Sequence, residues 1–173
     1  DSPIQDYYQF LTIEDLSPDD RQILVEKHLA SPDLMEHAEG AAILVNQREI
    51  CSIMVNEEDH IRLQCIFPGY QLNAALNYIN KVDDALEEQL PYAFDENLGY
   101  LTCCPTNIGT GMRASVMMHL PALAATGQMK LILQTLAKIG IAVRGLYGEG
   151  SETIGDIFQI SNQITLGATE EEI

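Results

Sequence analysis

The chain has 173 residues, 46% of them hydrophobic and 20% charged, enough for one domain with a substantial core. Its formal charge of −17 argues against a nucleic-acid partner, which needs clustered Lys and Arg, and favours cationic partners. No apolar run approaches the ~20 residues of a membrane span, and four cysteines without a C-x-x-C pair argue against zinc and for a reducing, cytoplasmic compartment.

Ser17-Pro-Asp-Asp20 predicts a capped helix start, with Ile23, Leu24 and Leu29 lining one side as far as about Ala30. Ser31-Pro-Asp33 is expected to be a stop. Residues 41–46 and 50–55 read as two strands joined by a Gln-Arg-Glu turn. Residues 60–67 alternate, with Ile61, Leu63 and Cys65 on one face and Arg62 and Gln64 on the other. After the Pro68-Gly69 turn, residues 70–90 have helical spacing. A short strand is expected at residues 100–103, a turn-rich loop at 105–111, and a strand at 112–120. A helix follows over residues 129–139, closed by Gly140. Residues 141–146 and 156–161 read as strands around a glycine-rich loop at 147–155. Hairpin-like neighbours without strict β-α alternation predict an α+β fold with a mainly antiparallel sheet flanked by helices. The chain begins at Asp1 and stops just after Thr169 and Glu172, a capping-box pattern that announces a helix. It therefore reads as part of a longer protein.

Three polar stretches interrupt the core pattern. Residues 55–62 crowd Glu57, Glu58, Asp59, His60 and Arg62 into one turn. Read alone, that is a solvated hairpin tip or a metal site, although Arg62 would compete with a metal. Residues 103–113 run from a thiol through a glycine-rich loop to Arg113, and such a loop is either a structural turn or an anion cradle. It is not a Walker loop, because no Gly-Lys-Ser/Thr follows. Residues 144–152 combine Arg144, three glycines, Glu149 and Glu152, but their spacing does not fit G-x-G-x-x-G.

Together these residues suit phosphoryl transfer to a cationic acceptor. Arginines neutralise phosphates and stabilise the charge on the transferred group. Carboxylates hold a guanidinium by bidentate hydrogen bonds. A guanidinium, with a pKa of roughly 12.5 or more, is not nucleophilic until a base removes a proton.

Three ordered strings carry a resemblance to a known family. They are Asn56-Glu-Glu-Asp-His60 with Arg62, Cys104-Pro-Thr-Asn-Ile-Gly-Thr-Gly111 with Arg113, and Arg144-Gly145 with Gly148, Glu149 and Glu152. They resemble the signatures of the ATP:guanidino phosphotransferases, in the same order and over nearly the whole chain. Residues 25–29, 113–121, 144–152 and 159–167 are similar to the bacterial branch whose acceptor is an arginine side chain of a protein. Tyr147 stands where small-molecule guanidino kinases usually carry an arginine, which is the pattern of that branch.

The resemblance implies a partial guanidino kinase catalytic domain over residues 1–173, lacking N-terminal and C-terminal portions of the parent chain. It implies that Glu58 binds and deprotonates the guanidinium, that Glu152 is its partner, and that Cys104 is the active-site cysteine. It implies nucleotide contacts from His28, Arg62, Arg113, Ala114, Ser115, Val116, Met117, Arg144, Gly145, Leu146, Tyr147, Gly148 and Glu149. ATP and Mg2+ are the expected cofactors, with the metal held by phosphates and water and not by protein ligands. The partners it suggests are protein substrates, a regulatory activator, Clp protease components and a second copy in a homodimer, with a role in stress response and in marking proteins for Clp-type proteolysis. Neither nucleic acid nor membrane is expected. The alternatives are a small-molecule phosphagen kinase and, from another class, a non-catalytic phosphoarginine-binding module.

Overall fold

A computed structural model describes residues 7–144 and 155–173 of the chain. The chain divides into two units, Asp1–Tyr92 and Ala93–Ile173.

In the first unit, β1 (Tyr8–Thr12), β2 (Ala42–Asn46), β3 (Cys51–Val55) and β4 (Ile61–Cys65) form one sheet in that order, with every neighbour antiparallel. On one face, Ile43, Val45 and Met54 pack with Ile13, Leu29, Leu34 and Met35. These come from the segments around α1 (Pro18–Glu26) and α2 (Pro32–Glu36). On the other face, Cys51 and Ile53 meet Tyr78, Ile79, Val82 and Leu86 of α3 (Leu72–Glu87). Cover on both faces explains why β2 and β3 are apolar almost throughout, Ala-Ile-Leu-Val and Cys-Ser-Ile-Met-Val. The edge strand β4 alternates as predicted. Ile61, Leu63 and Cys65 join the α3 core, and the register places Arg62 opposite Met54 and Gln64 opposite Ser52 on the other face. Burial pushes the Cys65 thiol up to about 12, with Cys51 directly opposite adding to the effect, so this pair behaves as packing.

Helix α1 is shorter than its sequence suggests. Ser17 caps it as predicted, its Oγ accepting from the Asp20 N–H at 3.2 Å. It ends at Glu26 because His28 takes a left-handed conformation, φ 57°. The Leu29 N–H then bonds Leu24 O and the His28 N–H bonds Val25 O, which is a Schellman closure with Leu24 and Leu29 in the same core. Ile23, expected on the inner side, is exposed, and Val25 packs inward with Leu24. Ser31-Pro-Asp33 is not a stop. Ser31 Oγ accepts from the Leu34 N–H at 3.1 Å and opens α2.

The turn between β2 and β3 depends on Asn46, which is 1% exposed. Its Oδ1 accepts from the Ile50 and Cys51 N–H groups, both at 2.9 Å, and its Nδ2 donates to the Tyr78 hydroxyl at 3.2 Å. One side chain thus ties the hairpin to α3.

In the second unit, β5 (Phe94–Asp95) and β6 (Gly99–Tyr100) form a hairpin. Strands β7 (Ser115–His119), β8 (Ile141–Arg144) and β9 (Ile157–Asn162) form an antiparallel sheet in the order β7-β9-β8. Helix α4 (Pro121–Ala125) follows β7, and α5 (Met129–Ala137) packs on β8. The strand expected at residues 100–103 ends at Tyr100. The strand expected at 112–120 begins only at Ser115, because the Asn162 side chain binds the backbone of Met112 and Ala114. The Thr169 capping box forms, with the Thr169 N–H bonded to Glu172 Oε2 at 2.9 Å and the Glu172 N–H to Thr169 Oγ1 at 3.3 Å, though the residues it spans make turns.

Replacing Asn46 by Ala orphans two backbone donors beside the core and is expected to cost about 2 to 4 kcal/mol. Denaturant unfolding should show a lower midpoint at an unchanged slope. A variant as stable as the parent would refute the assigned role.

Candidate functional site

The first polar stretch is the turn from β3 to β4. The Asn56 N–H bonds His60 O at 3.0 Å and closes it. Asn56 is left-handed, φ 59°, and its Nδ2 donates to Gly40 O at 2.8 Å. Inside the turn lies Glu57, whose side chain is only 4% exposed. Its carboxylate accepts from Arg62 Nη1 at 3.0 and 3.2 Å and from the Glu58 N–H at 3.0 Å. Burial pushes the Glu57 acid up, but the Glu58 N–H, the Ser31 hydroxyl and the Arg62 guanidinium outweigh burial and hold it below the usual carboxylate range. Glu57 is therefore an anion at neutral pH, fixing the Arg62 guanidinium and the Glu58 backbone at once. The Glu58 side chain is exposed.

His28, some thirty residues earlier, is held to the same strand pair. Gln64 Nε2 donates to His28 O, and Ser52 Oγ donates to Leu29 O at 2.6 Å. The first unit thus brings together His28, Ser31, Glu57, Glu58 and Arg62. The left-handed turn after α1 and the polar face of β4 are the two elements that do it.

The second unit holds the thiol loop. Cys104 Sγ lies 3.0 Å from Thr106 Oγ1, and Thr102 Oγ1 donates to Cys104 O at 2.6 Å. A 3-10 turn, Pro105–Asn107, follows. Gly109, φ 110°, presses against the chain after β9, where a Cβ would lie 2.3 Å from Thr165 O. Thr165 is nearly buried. Its hydroxyl faces Thr106 O at 3.0 Å and Ile108 O at 2.8 Å, and its own carbonyl accepts from the Thr110 N–H at 3.1 Å. On both sides of Arg113 the backbone is bonded to Asn162. Arg144 ends β8 opposite Gln159, and Met117 lies opposite Gln159 on the other side. Arg144, Met117 and Ser115 therefore share one face of the sheet, with Val116 on the other.

Gly145, Leu146, Tyr147, Gly148, Glu149 and Glu152 lie outside the described residues. Ser31, Gln64, Asn162 and Thr165 carry no functional signal of their own in the sequence. Asn162 and Thr165 belong to the string 159–167 that carried part of the resemblance, so that signal was present without a role. Ser31 was hidden by its reading as a stop.

A family model described as ATP:guanido phosphotransferase, C-terminal catalytic domain, matches residues 2–173. The protein-arginine kinase of Pelotomaculum thermopropionicum is 59% identical over 162 residues, 94% of this chain and 46% of that protein. That of Geobacillus stearothermophilus is 57% identical over 166 residues, 96% of this chain and 46% of that protein. The chain therefore spans about half the length of the curated relatives it matches. Among solved structures, a duplicated taurocyamine kinase from Schistosoma mansoni with bound transition-state analogue components superposes with a TM-score of 0.80 at 34% identity, covering 94% of this chain and 24% of that one. Lombricine kinase gives a TM-score of 0.79 at 27% identity, covering 95% of this chain and 49% of that one. The α+β antiparallel fold and the family expected from the three motifs are borne out: the chain belongs to the ATP:guanido phosphotransferases and lies in their C-terminal catalytic domain.

Proposed function

We propose that the parent protein is a protein-arginine kinase, transferring the γ-phosphoryl group of ATP to the guanidinium of arginine residues in proteins. One observation carries the choice of acceptor. Relatives bearing that name are 54% to 59% identical across this chain, whereas the taurocyamine and lombricine kinases are 34% and 27% identical.

In this reading, Glu58 and Glu152 bind the acceptor guanidinium, and Cys104 serves as the active-site cysteine. Glu58 takes a proton from the attacking nitrogen. That nitrogen bonds the γ-phosphorus as the bond from phosphorus to the β,γ-bridging oxygen breaks, and ADP leaves with the electron pair. Arg62, Arg113 and Arg144, with His28 and the backbone of residues 114–117 and 145–149, hold the nucleotide. Their guanidinium groups offset the charge that spreads over the transferred group. The anionic Glu57 supports the assignments of Glu58 and Arg62, because it fixes the geometry of both. Mg2+ would be carried by the nucleotide phosphates and water. Bound there, Mg2+ neutralises phosphate charge. Among the described residues no helix is long and apolar enough to cross a membrane. A cytoplasmic setting, an activator protein, a homodimer and a link to stress response and Clp-type proteolysis belong to the same proposal.

Incubating the full-length protein with ATP, Mg2+ and an arginine-rich protein should yield acid-labile phosphoarginine in that protein. Phosphorylation of free arginine or creatine alone would instead establish a small-molecule phosphagen kinase. Replacing Glu58 by Gln should lower kcat by about 10²- to 10⁴-fold, the range for losing a positioned general base. Full activity in that variant would favour a phosphoarginine-binding module. His28 offers a sharper separation of function from stability. A left-handed residue is better served by Gly, so His28→Gly should unfold within about 1 kcal/mol of the parent. Its nucleotide affinity should fall nonetheless, and unchanged affinity by calorimetry would remove His28 from the site.

A further inference from the structure

We infer that the end of β9 and the residues after it act as a template for the thiol loop. Asn162 is then the positioning residue for Arg113, and Thr165 the positioning residue for the turn that carries Cys104. The inference rests on the reading of Arg113 as a phosphate contact and of Cys104 as the site thiol.

The Asn162 amide has one acceptor atom and two N–H donors, and the chain around Arg113 uses both kinds. Oδ1 accepts from the Ala114 N–H at 2.9 Å. Nδ2 donates to Met112 O at 3.0 Å and to Ile164 O at 3.1 Å. The backbone on either side of Arg113 is therefore fixed by one side chain from a residue about fifty positions later. A flipped amide would set its oxygen against two carbonyls, so the geometry selects one orientation. Only Asn has this donor and acceptor arrangement at this length. Asp would present oxygen to both carbonyls, Ala would leave all three backbone groups unbonded, and Gln is one methylene too long.

The same segment controls the thiol end. The Thr165 hydroxyl faces Thr106 O and Ile108 O, and Thr106 Oγ1 touches Cys104 Sγ. Gly109 lets the two chains approach closely enough for these bonds, since any Cβ would strike Thr165 and Leu166. An arginine that must meet phosphate oxygens gains from a fixed backbone, because its long side chain already loses rotamer entropy on binding. Asn162 and Thr165 touch no reacting atom in this scheme and act through the loop.

The test uses the full-length protein with Asn162→Ala, Asn162→Asp, Arg113→Ala and the Asn162→Ala/Arg113→Ala pair, and reads Mg·ATP affinity by calorimetry. Each Asn162 variant should weaken nucleotide binding by about tenfold or more, and the double variant should bind no more weakly than Arg113→Ala alone. The KM for the protein substrate should stay within about twofold. In a Cys103→Ser background, Thr165→Val should change the alkylation rate of Cys104 and leave nucleotide affinity alone, and Thr165→Ser should restore the parent rate. Should Asn162→Ala not fold, Asn162→Asp and the Thr165 pair still decide the matter. Parent-like nucleotide affinity in the Asn162 variants, alongside a defective Arg113→Ala, would overturn the inference while leaving the functional reading intact. Additive losses in the double variant, or equal losses of affinity and thiol reactivity in every variant, would show a merely structural role. If Arg113→Ala binds nucleotide like the parent, the phosphate role of Arg113 fails, and the positioning role of Asn162 goes with it.

Discussion

A carboxylate with 4% of its side chain exposed must either be neutral or have its lone pairs occupied, and Glu57 takes the second course. Its partners come from three places: Ser31 at the start of α2, the Glu58 backbone within the turn, and Arg62 on β4. Satisfying one buried charge therefore requires that α2, the turn and the edge strand take up fixed positions together. The functional groups of the first unit inherit that constraint. Glu58 projects outward because its own N–H is bound inward, and Arg62 is aligned because its Nη1 is already engaged. Breaking the arrangement would leave an uncompensated buried anion, which is far costlier than losing an exposed ion pair.

The second unit reaches the same end with neutral groups. Its loop carries a thiol and a cation, and a buried charge beside either would alter their chemistry. Amide and hydroxyl contacts from Asn162 and Thr165 fix the backbone without adding charge. Both units thus carry candidate groups on short irregular segments, Glu58 in one and Cys104 and Arg113 in the other, and hold the main chain of those segments in place. The regular strands beneath supply the rigidity.

Much of this was legible in the sequence where one residue's neighbours along the chain decide its state. The alternation of residues 61–65 gave the two faces of β4, and Ser17-Pro18 gave the start of α1. The errors fall where a distant partner decides. Helix α1 stops at Glu26 because His28 turns left-handed and its carbonyl is taken by Gln64, a residue on β4. Ser31-Pro-Asp33 has the local chemistry of a break and of a helix start alike, and packing of Leu34 and Met35 on the sheet selects the second. β1 has no strand signal of its own, because its short run, Tyr-Gln-Phe-Leu-Thr, alternates poorly, and its pairing with β2 supplies what pattern does not. The site motifs were visible as strings. Their supports were not, since Asn162 reaches Arg113 across about fifty residues and nothing local to either marks the pair.

The charge of the whole chain bears on how such a site can work. At −17 the long-range field of this chain repels a polyphosphate and attracts a guanidinium, which on the proposed reading favours the acceptor over the nucleotide. The nucleotide must be won locally, by short contacts at distances where screening and the global field matter less. Arg62 contributes little net charge to that contest, because Glu57 balances it. Its value lies in presenting its remaining N–H donors at a fixed angle. On the proposed reading Arg113 and Arg144 are the other arginines that would meet the phosphates, and the Asn162 side chain and the β8-β9 pairing fix the backbone at each. The Asn162 amide anchors the backbone beside Arg113 without adding charge: a carboxylate in its place would offset the positive charge that the proposed phosphate contact requires.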